Sequence, residues 1–437
     1  MKNVLFELPK DKKKLIRKLA LHQVLYDREL LNGVFRIFDE VEQKGDVAVK
    51  SATQIYDKVD LSNIKLSESY VDTCTSSLSS SLRNAIENGI RNIKEVNNVL
   101  MPDLYWEKQI RPGTMIGEKV TPLESVGLWI PARKGPLIST ALMLVVAAKV
   151  AGVETIIVGM PPLKIGLGDP GTIAAARLAG ASDFVVGNGV AVIAGFSIGT
   201  ESIPEVKGIF GPGPGAIAAA MSVAFSYGKR TATGIGPTES AIIADDSANP
   251  KILAYDLISE SEHGPDSSSI LVTPSYDLAK EVEKHLNDVI EEVEGKQKNV
   301  LRTVFGNDGM GAIVVTPDIN SACDFVNEYA PEHLMVVFKE KKRDRIIDRI
   351  KNAGEILIGE STPFSAGNYA IGITAVLPTN GFAKIFSGIT CKDMIKQSTV
   401  GMLTKEALKE LYPTIKEIGE YEGLPCHVKA TQIRIEN

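Results

Sequence analysis

From about Lys12 to Leu100, apolar residues recur at helical spacing with charged residues between them, as in LLNGVFRIFDEVEQKG (30–45). The pattern predicts a helical N-terminal region. From Val126 it changes to short apolar runs that alternate with Ala/Gly-rich stretches. VGLWIP, TIIVGMP, DFVVGNG and GIFGPG read as buried strands, and LISTALMLVVAAKVAG, GTIAAARLAGA and AVIAGFSIG as helices between them. A second series follows: SAIIADD, SSILVTP, GAIVVTP, LMVVFKE and EILIGES, separated by helical segments near 249–262, 277–294, 319–329 and 342–353. Two β/α series in tandem predict an α/β chain with two doubly wound, Rossmann-like parallel sheets, each binding ligands beyond the carboxyl ends of its strands. The glycine-rich TPFSAGNYAIGITAVLPTNG (362–381) patterns as neither element and has the length of a functional loop. LTKEALKELYPTIKEIGEYEG then predicts a C-terminal helical tail.

Composition changes this picture little. At 437 residues, 44% hydrophobic and 23% charged, the chain is in the range of a multidomain globular protein. A net charge of -6 gives no nucleic-acid surface, and KDKKK (10–14) reads as a solvated face. Cys74, Cys323, Cys391 and Cys426 form neither a C-x-x-C pair nor a disulfide framework. No apolar run reaches membrane-spanning length, and the N-terminus lacks a signal-peptide pattern. These readings predict a cytoplasmic protein with no membrane or nucleic-acid partner.

The candidate chemistry is concentrated in a few stretches. In SESEHGPDSSS (259–269), Glu260 and His263 share a face if the segment is helical, the geometry of two ligands to one metal; an exposed polar helix end is the other reading. FGPGPGAIAAA (210–220) could turn free amides toward a phosphate, although Gly211, Gly213 and Gly215 lack the G-x-G-x-x-G spacing and a tight turn explains them equally. EYAPEHLMVVF (328–338) sets Glu332 beside His333 where a helix gives way to a strand, either as two proton carriers or as a capping turn. His427 in GLPCHVKA follows a helix near the C-terminus and alone reads as a surface residue. His22 and His285 read as structural.

In order and spacing, SEHGPDS, YAPEHL, SAGNYAIG with VLPT, GLWIP with PLISTALM, GTESIP with IFGPG, and LPCH resemble the histidinol dehydrogenase family over nearly the whole chain from about residue 20. The resemblance implies a zinc- and NAD-dependent homodimer that oxidises an amino alcohol to the acid through an aldehyde. It implies an N-terminal arm (1–23), a discontinuous first α/β domain (24–125 with 237–380), a second, NAD-binding-like domain (126–236) and a tail (381–437) that crosses to the partner subunit. The family's metal ligands fall on Glu260, His263, Asn368 and His427. Two differ in type from the family's Gln and Asp, yet the set keeps one carboxylate, one amide and two imidazoles, which suits zinc or another divalent metal. The family's Glu-His pair falls on Glu332 and His333: His333 takes the alcohol proton as hydride leaves to NAD, and Glu332 activates water on the aldehyde. Substrate contacts fall on Thr238 and Glu422 together with Glu260, His263, Glu332, Asn368 and His427.

The family's NAD contacts, Tyr, Gln and Asn, fall on Trp129, Ala191 and Pro214; its substrate-side His becomes Ala375, and its IPGG becomes IPAR. Losing these polar partners together implies a different small polar alcohol as substrate. L-histidinol oxidation in histidine biosynthesis and a catalytically silent ligand-binding homologue are the alternatives.

Overall fold

The computed structural model describes residues 4–19, 28–132, 135–232, 236–339 and 346–436. His22, Arg133 of IPAR, and the start of the helical segment expected at 342–353 lie outside the described residues. Among the described residues, no helix is long and apolar enough to cross a membrane.

In chain order the strands are β1 (Leu5–Glu7), β2 (Tyr105–Arg111), β3 (Thr114–Pro122), β4 (Ser125–Trp129), β5 (Thr155–Met160), β6 (Asp183–Val186), β7 (Gly208–Phe210), β8 (Arg230–Thr231), β9 (Glu239–Ala244), β10 (Ser268–Thr273), β11 (Ala312–Val315), β12 (His333–Val337), β13 (Glu355–Ile358) and β14 (Ile395–Leu403). The helices are α1 (Lys12–Leu19), α2 (Arg28–Lys44), α3 (Asp46–Ala52), α4 (Glu68–Ser76), α5 (Ser80–Leu100), α6 (Ile138–Ala151), α7 (Pro170–Ala179), α8 (Gly189–Ile198), α9 (Gly215–Ser226), α10 (Pro250–Ser261), α11 (Tyr276–Glu292), α12 (Gly295–Val304), α13 (Ile319–Tyr329), α14 (Phe364–Tyr369), α15 (Lys405–Tyr421) and α16 (Pro425–Glu436).

The chain divides into two compact units, Met1–Leu100 with Glu124–Met394, and Met101–Leu123 with Ile395–Asn437. The first contains both expected parallel sheets. One has the strand order β1-β11-β10-β9-β12-β13 and the other β6-β5-β4-β7-β8. Side chains of the six-stranded sheet alternate between two cores. Ile242, Leu271, Ile313 and Met335 pack with Leu257, Val282 and Leu286 of α10 and α11. Ala241, Ile270, Val314 and Leu334 pack with Leu15, Cys323 and Val326 of α1 and α13. A sheet covered on both faces explains why its strands read as continuous apolar runs. In the five-stranded sheet, α8 sits close against β4 and β5 because Gly127 and Gly159 lack side chains. A Cβ on either would fall 2.6 Å from the Phe196 ring or 2.8 Å from Val192. The order reverses between β4 and β7, with β5 and β6 on one side and β8 on the other, so a crevice opens beyond the ends of β4 and β7.

The second unit holds an antiparallel sheet, β14-β3-β2, followed by α15 and α16. Thr404 caps α15 by accepting from the Ala407 amide, and the Thr404 amide donates to the Gly113 carbonyl in the β2–β3 turn.

Candidate active site

Within the first unit, five of the expected side chains come together at the amino ends of the strands of the six-stranded sheet, where β9, β12 and β13 begin, beside the end of α10 and α14; the expectation of a site beyond the carboxyl ends does not hold for this sheet. Asn249 caps α10 with Pro250 in its first turn, and the helix runs to Ser261, so Glu260 occupies its last turn. Glu260 is 2% exposed, which overturns the alternative of an exposed polar helix end. Its Oε1 accepts from Asn368 Nδ2 at 2.8 Å. Its Oε2 has no hydrogen-bond partner and lies 3.5 Å from Nε2 of the half-exposed His263 and 3.8 Å from His333 Nε2.

Asn368 comes from α14, a helix inside the stretch that patterned as neither element; six residues make less than two turns, too few for a period to register. Phe364 at the start of this helix packs edge-on against the His333 ring, with centroids 5.9 Å apart.

Glu332 and His333 enter from α13 through Ala330, whose φ of 55° places an alanine in the left-handed region as the helix ends. That conformation costs an alanine roughly 1–2 kcal/mol, and strain of this kind collects where a functional side chain must be aimed. Glu332 Oε2 accepts the Glu239 amide at 3.0 Å and stands 3.7 Å from His333 Nε2. The other ring nitrogen, Nδ1, is hydrogen-bonded to Glu355 Oε1. Both residues are buried.

These groups set one another's charge. Burial disfavours an ionised Glu260, but the neighbouring His333, His263 and Asn368 outweigh it and hold the carboxyl below its ordinary range. Burial pushes Glu332 up to about 7 despite the attraction of His333. For His333, burial acts against the cation, and the carboxylates of Glu332, Glu260 and Glu355 overcome it and raise the imidazole to about 10. The nearby Glu260 carboxylate raises His263 against the effect of burial.

An imidazole between three buried carboxylates can hold or pass a proton, and Glu332 is tuned to change protonation near neutral pH. A second feature suits a cation. Glu260 offers an oxygen with no hydrogen-bond partner beside the His263 imidazole and the Asn368 amide, all donors appropriate to zinc, so the residues present fit such an ion. Among the described residues, no group of three or more His, Cys, Asp or Glu has metal-holding geometry; the third donor here is an amide.

Thr238 precedes β9, and its carbonyl accepts the Ser268 amide. Ala375 is half-buried and its amide donates to Met143 Sδ of α6 at 3.2 Å. Trp129 ends β4 with its ring buried and its Nε1 without a partner. Ala191 lies wholly buried in the first turn of α8, whose amides are taken by the Asn188 side chain. Pro214 begins α9 and supplies no side-chain cap, leaving that helix start open at the β4–β7 crevice. A buried unpaired donor and open helix amides at a strand-order reversal fit a dinucleotide. Glu422 and His427 belong to the second unit, where both are exposed, at the end of α15 and in α16.

Two acids escaped the sequence reading. Glu355 was visible only as the first residue of EILIG, and Glu239 only as a polar residue before SAIIADD; the sole signal is an acid heading a run that becomes a buried strand.

A family model described as histidinol dehydrogenase matches residues 22–435. A histidinol dehydrogenase of Synechocystis sp. is 36% identical over 410 residues, covering 91% of each chain. One of Methanothermobacter thermautotrophicus is 36% identical and covers 94% of each. The crystal structure of histidinol dehydrogenase from Elizabethkingia anophelis superimposes with a TM-score of 0.91 at 29% identity, covering 99% of this chain and 98% of that one.

Proposed function

We propose a function from the premise that this chain belongs to the histidinol dehydrogenase family, whose members are NAD-dependent zinc enzymes: it oxidises a small polar amino alcohol other than L-histidinol through an aldehyde to the carboxylate. The observation that carries the reaction is the buried contact of His333 Nε2 with Glu332 and Glu260, next to the unpartnered oxygen of Glu260.

In this reading Glu260, His263 and Asn368 hold the metal, and the set is completed by His427 of the partner subunit. Trp129 and the α9 start at Pro214 face the dinucleotide. Held there, zinc would supply a Lewis acid for the alcohol oxygen and NAD a hydride acceptor for the carbinol carbon. A cation held by Glu260 would neutralise one of the carboxylates that otherwise keep the His333 ring protonated, and the neutral ring then accepts the hydroxyl proton at Nε2 in each oxidation. Glu332 takes a proton from water as its oxygen adds to the aldehyde carbon, and the aldehyde oxygen takes the proton that His333 gained in the first oxidation, giving the hydrate that is oxidised next. Its position near neutrality lets it pick up and release that proton in turn. Thr238 and Glu422 complete the substrate contacts.

The substrate assignment rests on position 375. An alanine there presents no imidazole, and its amide is engaged by Met143. A site that recognised histidinol through a histidine at this position would lose that hydrogen bond outright, a difference worth roughly 1–3 kcal/mol for a buried partner. The chain works as a homodimer in which His427 completes the neighbour's metal site. Ile110, Ile116, Met402 and Tyr421 of the second unit, all exposed in the single chain, support such a contact. Four free cysteines support a cytoplasmic setting.

The test is NADH formation by zinc-loaded and chelator-stripped protein, with L-histidinol and a panel of small amino alcohols and polyols. The proposal expects zinc-dependent turnover, abolished by His333→Ala, with a panel alcohol preferred over histidinol by kcat/KM. Preference for L-histidinol would return the chain to the family's named reaction. No turnover with any alcohol, together with no bound zinc, would leave a ligand-binding homologue.

A further inference from the structure

We propose that Glu355 is a positioning residue that fixes the ring and tautomer of His333, a role that rests on reading His333 as the proton acceptor above. The two residues are the first register pair between the parallel strands β12 and β13. The backbone clamps them: the Gly354 amide donates to the Pro331 carbonyl and the Glu355 amide to the Glu332 carbonyl, both at 3.0 Å. Side chains paired in this way leave the sheet on the same face, and here the carboxylate meets the imidazole, with Glu355 Oε1 hydrogen-bonded to His333 Nδ1.

The pairing is costly on its own terms. Glu355 is buried, and its Oε2 has no hydrogen-bond partner, the kind of group a core chosen for stability alone avoids. Space is kept for it by Gly367 of α14, where a Cβ would stand 3.2 Å from Oε2 and 3.4 Å from Oε1. Phe364 of the same helix closes the other side of the ring. The imidazole is thus gripped by a carboxylate at Nδ1 and an aromatic edge on its face. A carboxylate only accepts, so Nδ1 must carry a proton, and Nε2 is left as the nitrogen directed toward Glu332 and Glu260. Without that acceptor either nitrogen could carry the single proton of a neutral ring, and half of those states present no lone pair to the alcohol.

The test uses zinc-loaded full-length protein with nitrogen-15 labelled histidine, comparing wild type with Glu355→Leu and Glu355→Gln. Histidine N–H resonances are assigned by a His333→Gln variant among the five histidines. The wild type should show a downfield Nδ1–H resonance for His333. In Glu355→Leu it should vanish, and kcat with the alcohol turned over fastest should fall about 10- to 100-fold while KM for NAD stays unchanged. Glu355→Gln, which still accepts from Nδ1, should keep the resonance at a less downfield position and recover part of kcat. A His333 proton found only on Nε2 in wild type, or a Leu variant that keeps the same resonance and kcat, would overturn the proposal. If the Leu variant does not fold, an unmoved resonance and unchanged kcat in the Gln variant would do so. A resonance lost as expected in a protein that oxidises no alcohol would uphold the positioning role and sink the dehydrogenase reading.

Discussion

Replacing Glu239 with glutamine should stabilise the protein at neutral pH. Glu239 heads β9 at 1% exposure, its Oε2 accepting the Asn380 amide at 3.0 Å and its own amide held by Glu332. Burial first, and then the field of Glu332, push its carboxyl up to about 8. An unfolded chain ionises the same group near 4.3. The folded state therefore binds a proton that the unfolded state has released, and stability falls as pH rises between these two values. At 1.36 kcal/mol per pH unit, the cost is ~3–4 kcal/mol at pH 7, about 1 near pH 5, and levels off at about 5 above pH 9. Glutamine copies the shape of the protonated acid and has no such pH dependence. Urea unfolding of wild type and Glu239→Gln from pH 5 to 9 should show a gap in favour of the variant that opens steadily with pH. A gap that is flat with pH, or a variant less stable than wild type at pH 8, would refute the reasoning.

Glu260→Gln should weaken zinc binding by about 100-fold, because it removes the carboxylate from the ligand set. Adding Asn368→Asp, which moves the charge across the 2.8 Å contact, should restore most of it. Competition with a chromophoric chelator measures both, and a double variant no better than Glu260→Gln would count against Asn368 as a ligand. Gly211→Ala should cost about 3 kcal/mol or more in thermal unfolding, since φ of 147° suits glycine and the new Cβ would lie 2.1 Å from the Trp129 carbonyl. An alanine variant that melts with wild type would mean the β4–β7 crevice is looser than described.

The two parallel sheets were legible because strands buried on both faces must be apolar throughout, and runs such as SSILVTP mark their strands to within a residue or two. The antiparallel sheet was not. All seven residues of β2 are exposed, so the strand carries no alternation to read, and β14, which pairs with the other edge of β3, comes from the far end of the sequence. At the site, spacing exposed the Glu260–His263 pair, and the helix-to-strand boundary exposed Glu332 and His333. What pattern could not reveal was register. Glu355 meets His333 only because β13 pairs with β12 starting at those two residues, a long-range choice no local stretch encodes. Glu239 stayed hidden for a related reason: an acid at a strand start looks solvated until its neighbours are known.

The nesting of one sheet inside the other sets an order for synthesis. β4 to β8 come from one continuous stretch, whereas β1 must pair with β11, Leu5 opposite Ile313. On a ribosome adding roughly 5–20 residues per second, the first strand waits about 15–60 s for its partner. The inner sheet can close in that interval; β9 with Glu239 follows it, and β12 and β13, which carry His333 and Glu355, are made only after β11. The nascent chain is therefore inert until most of it has been made. Its early apolar edge at Leu5–Glu7 is the segment a chaperone would have to shield.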